Sequence, residues 1–456
     1  MDFNPDIAAI RLGYGLSARV PPPQTADAFL RSVALSVPDD HAVGMDHVRA
    51  AQTMLSDLNS LRKKDPEAAS VKEIRQQQRQ MRIQSAEAIR HRFARAAGDP
   101  GGFGERLVQF WADHFTVSGG SPYQDLMAAA FVDEAIRPHL QGSFAQLMFA
   151  AETHPRMVTY LDQDRSFGPH SWIARRRKGR DLGLNENLAR EMIELHSLGA
   201  GAPYTQKDVR QLAKLLTGLS FHLRRDGNFR PVMAEPGAET VLGQRYGGDR
   251  PASLDDIREV IVDLAAHPST SRHLARKLAV HFVADDPPQS LVDRLDATYR
   301  ETGGDLPSLY AALMDGPELW SHFRQKVRQP FDFLVAALRA LGLDQQRVLD
   351  LPMRQVNARL IRPLTNMGQE WAMPRGPDGW PEAAESWATP QGIALRIDWA
   401  MRQPRVLVPK LPDPRDFLQA ALGETASEAL KWAVPRAESA REGLMIVLAS
   451  ADFNRR

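Results

Sequence analysis

The residues best placed to do chemistry lie in one run, NENLAREMIELHSLG at positions 185–199. On a helix with Asn187 at zero, Arg190 falls at about 300°, Glu194 at about 340° and Glu191 at about 40°, so two carboxylates, a guanidinium and an amide share one stripe. Glu191 and Glu194, three residues apart, could hold a divalent cation through oxygen ligands or divide the work of acid and base. The same stripe is also what a solvated, salt-bridged helix face looks like. His196 falls at about 180°, so it forms no metal pair with Glu194, and the HExxH pattern of zinc proteases is absent. Leu188, Met192 and Leu195 supply the apolar side of the helix.

A second candidate is His114, in ERLVQFWADHFTVS at 105–118. Leu107, Trp111, His114 and Phe115 follow the spacing of a buried helical face. A histidine there either satisfies its ring nitrogens as a core residue or points into a polar pocket. Asp113, about 160° from Trp111, is expected to face solvent. The third candidate is the loop Arg175, Arg176, Arg177, Lys178, Gly179, Arg180, with five positive charges in six positions. It could neutralise the acidic helix, attract an anionic ligand, or simply be solvated.

Helices must position these groups. Pro and Gly clusters at 99–102, 119–122, 247–251, 285–288 and 374–379 punctuate the chain, and the segments between them read helical. Ser70 and Glu73 have capping-box spacing and open a long helix that ends near Asp99 and Pro100. Lys72, Arg75, Arg79, Arg82 and Arg90 share its basic side and Ile74, Met81, Ala88 and Ile89 its apolar side, which fits a solvated face or an anionic-polymer surface. Thr205 and Asp208 have the same capping spacing, giving Asp208 a structural role. Strand patterns are scarce, and the best lies at 239–243 within the irregular stretch 221–248. The expected fold is mostly α, a large multi-helix globular unit with a short β-hairpin around 221–248. Its sub-regions are N-terminal helices to residue 100, a motif-bearing helical core at 101–220, an irregular or hairpin segment at 221–250, and C-terminal helices from 251.

Composition narrows the function classes. The 456 residues are 43% hydrophobic and 25% charged, a soluble globular mix, and 57 Lys and Arg nearly balance 56 Asp and Glu. A formal charge of +1 gives no global argument for nucleic acid or an acidic membrane surface. With no cysteine, the chain has no disulfide, Cys-ligated zinc, iron–sulfur cluster or thiol nucleophile. The opening MDFNPDIAAIR lacks the apolar run of a secretory signal, and no stretch reaches the 18 or more apolar residues of a membrane span. A cytoplasmic protein is expected.

These segments carry a resemblance to a bacterial family catalogued as domain of unknown function 1800. It rests on FWADHF (110–115), THPRMVTYLD (153–162), the NENLAREMIELHSLG run, YTQKDV (204–209) and LTG (216–218). IRLGYG (10–15), HPSTSRHLARKL (267–278), PDGWP (377–381) and LASADFNRR (448–456) extend it over nearly the whole chain. Two departures stand out: Leu219 where the family usually has Trp after LTG, and Ala234-Glu235 where many relatives have His followed by an acid. The resemblance raises the weight of Arg190, Glu191, Glu194 and His196, then His114 and Asn187, as members of a shared site. Trp111, Tyr204 and Trp380 line its pocket or belong to the core. Genes of the family often lie beside those of another, domain of unknown function 1501, which resembles the alkaline-phosphatase and sulfatase group, so the resemblance implies such a protein as a partner.

Two functions follow as expectations. One is an enzyme acting on an anionic or saccharide-like substrate from a pocket of Asn187, Arg190, Glu191, Glu194 and His114, with a divalent cation as an optional cofactor. The other is a non-catalytic binding or maturation partner of the neighbouring family, with the polar stripe as a structural ion-pair network.

Overall fold

Side chains that satisfy the first N–H groups of each helix set where the helices begin. In this computed structural model, which describes residues 3–65, 70–176 and 183–456, Ser70 and Glu73 close a capping box at the start of Val71–Gly98. Thr205 and Asp208 do the same for Gln206–Leu215, and Asp208 also accepts the Leu242 N–H. His-Pro pairs provide a second device. The Nδ1 atoms of His154 and His267 accept the N–H groups of Arg156 and Ser269, and Pro155 and Pro268 stand at the first helical position, where no N–H is needed. The fold is mostly α, and its one small sheet among the described residues is the hairpin Glu239–Val241 with Gln244–Tyr246. Leu242 and Gly243 make its turn, both at positive φ (50° and 82°), as a tight two-residue connection requires. No described helix is long and apolar enough to cross a membrane.

Apolar side chains gather into two large cores. The first draws on residues 8–319, and the second joins the end of the long helix (Ile89, Phe93, Ala97) to residues 331–453. The long helix therefore changes character along its length. Lys72, Arg75, Arg79 and Arg82 are exposed, as the basic face requires, but Arg90 is half-buried and Arg92 and Arg95 are buried, because the second half of the helix sinks between the cores. Arg339 anchors its end, donating to the carbonyls of Ala96, Ala97 and Asp99 at 3.3, 3.0 and 2.5 Å, so a guanidinium serves carbonyls that the helix leaves unpaired.

The IRLGYG segment ties the cores together. Carbonyls of Gly13, Tyr14 and Gly15 accept from Arg106, Arg328 and Arg339, and Arg11 donates to the carbonyls of Val283 and Arg456. A side chain at Gly13 would put its Cβ 2.0 Å from the Gly101 carbonyl oxygen, which accounts for the glycine. Buried Asp332 pairs with Arg106 at 2.9 Å and lies 3.7 Å from Arg456, so the LASADFNRR end is part of the same scaffold.

Candidate functional site

The helix Asn187–Glu194 is short, and the stripe read from its spacing divides in two. Arg190 pairs with Glu194 at 3.3 Å and Glu186 at 3.7 Å and donates to Gln206 at 2.9 Å, so this part is a half-exposed salt-bridged face. Tyr204 stands beside Glu194, its hydroxyl pushed up to about 12 by burial and by the neighbouring carboxylate. Asn187 is exposed at the helix start. Glu191 differs: it is half-buried, and no hydrogen bond or salt bridge engages its carboxylate among the described residues. Burial raises its pKa, His196 pulls it back, and Glu194 and Glu152 push it further up.

His196 lies beyond the end of the helix, so its position on the helical wheel does not apply. It is buried and donates from Nδ1 to Glu152 at 2.7 Å. His114 is 2% exposed and donates from Nε2 to the His196 carbonyl at 3.2 Å, joining the ends of the helices Phe103–His114 and Asn187–Glu194. Burial, with Lys277 and two histidines nearby, holds it well below the ordinary histidine range, so it is a neutral core residue at physiological pH. Trp111 is fully buried and donates to the Tyr310 hydroxyl at 2.9 Å. Arg175 and Arg176 are exposed on the helix Trp172–Arg176, with Arg176 over the Trp172 ring at 4.4 Å, and Arg177 lies outside the described residues.

Asp113 corrects the expectation of a solvent-facing side chain. The PDGWP loop covers it, and the Trp380 N–H donates to its Oδ1 at 2.9 Å. Gly379, at φ 85°, lets this loop approach, since a Cβ there would stand 2.7 Å from the Asp113 carbonyl oxygen. Burial pushes the Asp113 carboxyl up to about 7; the Trp380 hydrogen bond and Lys277 lower it, and Glu382 and Asp378 raise it. Lys277 is the facing cation, with its pKa lowered by burial and partly restored by Asp113, Glu382 and Asp378. Tyr160, raised by burial, is within electrostatic reach of Glu191 on one side and Asp378 on the other, and Arg156 lies over its ring at 5.5 Å. His273, one turn before Lys277, donates to the Leu195 carbonyl at 3.1 Å and is held at about 4 by burial and by Lys277.

Asp113 and Lys277 thus feel each other and Asp378, and Tyr160 feels Asp378 and Glu191, so five separated segments bring ionisable groups within electrostatic reach. Only Glu191 of these was singled out from the sequence as a site residue. The available signal was in the helix Pro268–Phe282, where His273, Lys277 and His281 recur every four residues, a polar stripe on a helix that otherwise packs in the core. Asp113 also lines a cavity of about 80 Å³, whose other polar lining residues are Arg92, Gln109, Thr116, Gln369 and Glu370 and whose aromatic ones include Trp371 and Trp380.

The donor set does not fit a divalent cation at the predicted position. Glu194 is engaged by Arg190, and no group of three or more His, Asp or Glu among the described residues is arranged to hold a metal. The Ala234-Glu235 departure has a structural reading: Glu235 is buried and accepts the backbone N–H and Nδ1 of His170 at 2.7 and 2.5 Å. Leu219, in the usual Trp position, is buried and pairs with Phe229 in an isolated bridge. No curated protein and no solved structure matches the chain. A family model does, over residues 8–455, and the chain belongs to that family, described as Protein of unknown function (DUF1800).

Proposed function

We propose that the protein is an enzyme of the acid–base type acting on an anionic substrate, with Asp113 and Lys277 as its proton-transferring pair and Glu191 as a further carboxylate at the same site. The observation that carries this reading is the convergence of Asp113, Lys277, Asp378, Tyr160 and Glu191, with Asp113 at about 7, from five segments that bear the family's signature. A carboxyl near neutrality can take or give a proton at working pH, and a lysine with a lowered pKa can do the converse. Such groups cost stability where they stand, which is the pattern of residues kept for chemistry and not for packing. Of the anionic and saccharide-like substrates, the anionic one is favoured. Lys277 acts on both Asp113 and Asp378, and a cation there attracts an anion. Arg190 is neutralised by Glu186 and Glu194, so the cation that meets the substrate is Lys277 and not Arg190.

The test is turnover of a chromogenic panel of carboxylic, phosphate and sulfate esters and glycosides by the parent, Asp113→Asn and Glu191→Gln. Turnover of an anionic class is expected, with a pH profile that breaks near 7 and a loss of about 100-fold or more in Asp113→Asn. Turnover that Asp113→Asn retains in full overturns the assignment. A second reading, a non-catalytic partner of a protein of the domain of unknown function 1501 family, is supported by the paired Glu186, Arg190 and Glu194 stripe. Co-elution of the two proteins that Arg190→Glu abolishes, together with absence of turnover, favours that alternative.

A further inference from the structure

We propose that the cavity lined by Asp113 binds a small monocarboxylate with an aliphatic or aromatic body, its carboxylate seated on Arg92. This deepens the reading of the Asp113 region as a site for an anionic substrate and rests on it for the ligand's role, though not for the binding itself.

Three arginines surround buried Glu105. Arg137 donates to both Glu105 oxygens at 2.6 and 3.0 Å and to Asp133 at 2.9 Å. Arg95 donates to Glu105 at 2.9 Å and pairs with Asp39 at 3.1 Å. Those two arginines make three hydrogen bonds to the carboxylate, two to Oε1 and one to Oε2. Arg92 stands 3.7 Å from Glu105 Oε2, and its only hydrogen bond runs from Nη2 to Gln109 Oε1 at 3.3 Å. It is 6% exposed, and its Nε and Nη1 have no hydrogen-bond partner among the described residues. A buried guanidinium with two unsatisfied donors costs free energy that an acceptor would recover. Burial, before the neighbouring Arg137, holds its pKa down at about 10, and an anion beside it would favour the charged form.

Arg92 lines the cavity of about 80 Å³, so the acceptor can come from a ligand. The cavity's size and walls select the class. Ala128, Phe131, Val132, Phe331, Leu364 and Trp371 are in its lining, so the body of the ligand is apolar and small. Asp113 and Glu370 are also in the lining, and Glu105 is close to Arg92. A dianion such as phosphate would be repelled by those carboxylates about twice as strongly as a single negative charge, with Arg92 the cation among the lining residues.

The probes are isobutyrate, isobutyramide and inorganic phosphate, followed by calorimetry and by the ligand-induced rise in melting temperature of the full chain. Isobutyrate is expected to bind saturably in the millimolar range, with the uncharged amide and phosphate each weaker by about tenfold or more. Arg92→Met should remove the preference for isobutyrate over the amide. Ala128→Leu fills the cavity while leaving Arg92 in place, and should weaken isobutyrate by a similar factor, which keeps the test decisive if Arg92→Met folds poorly. Isobutyrate binding is read without turnover, so loss of the acid–base reading leaves this proposal standing, and the reverse holds too. Equal binding of acid and amide, preferential binding of phosphate, absence of saturable isobutyrate binding, or binding unaffected by Ala128→Leu overturns it.

Discussion

Replacing Asp113 with Asn should stabilise the protein, and only above a certain pH. The carboxyl ionises near 3.8 in the unfolded chain and at about 7 when folded, mainly because burial penalises the charge. A group with a raised folded pKa keeps its proton in the native state through that window. The unfolded state binds fewer protons there, so stability falls as pH rises from about 4 to about 7 and is level beyond. Three pKa units at about 1.4 kcal/mol each set a ceiling of about 4 kcal/mol, and partial solvation of this half-buried side chain halves it to roughly 2 kcal/mol. Asn cannot ionise but can still accept the Trp380 N–H, so the variant escapes the penalty and keeps the loop contact. With an unfolding entropy near 2.1 cal/mol/K per residue, a chain of this length should gain roughly 2 °C in melting temperature. The assay is paired thermal melts followed by circular dichroism at about pH 4.5 and about pH 8.5, where the advantage should be small at the lower pH and full at the higher. An Asn variant that melts below the parent at both pH values, or with a difference independent of pH, refutes the reasoning.

Other outcomes follow from the scaffold. Glu105→Gln should cost roughly 3 to 5 kcal/mol in urea denaturation, because it leaves Arg92, Arg95 and Arg137 facing a neutral group in the interior. Burial opposes the Glu105 charge, but Arg137 and the other arginines outweigh it and hold the carboxyl at about 2. Its contribution is therefore present above the ordinary glutamate range near 4.5 and is lost as pH falls toward 2, which an acid titration of parent against variant would show. Glu194→Gln should change stability by less than about 1 kcal/mol, since its pair with Arg190 is half-exposed; a larger loss would show that the stripe is a structural network. Gly13→Ala should fail to yield folded protein, because its Cβ would meet the backbone carbonyl of Gly101.

Local rules made much of the fold legible. Ser70 with Glu73 and Thr205 with Asp208 place two helix starts by side-chain chemistry alone, and both capping boxes form. The hairpin at 239–246 and the Arg190–Glu194 pair are likewise short-range features. The site is harder to read because its partners meet through tertiary packing. Nothing near Asp113 in sequence indicates that the PDGWP loop will cover it; a helical wheel shows only that it opposes Trp111. His196 defeats the wheel for another reason, since the helix stops at Glu194 and its side chain turns inward to Glu152. Arg92 reads as one more charge on a basic helix, and its burial depends on the second core closing over that half of the helix. The repeat of His273, Lys277 and His281 was visible, but a lone lysine in a helix is ordinarily a surface residue, and only the facing carboxylates make it otherwise.

The central claim is that Asp113 carries a titrating proton near neutrality opposite Lys277. Carbon-13 NMR of protein labelled at the aspartate side-chain carboxyl carbon, followed from about pH 3 to about pH 9, measures this directly. One aspartate resonance should titrate near 7, disappear in Asp113→Asn, and move to higher pH in Lys277→Met. A set of aspartate resonances that all titrate in the ordinary range near 4 would contradict it.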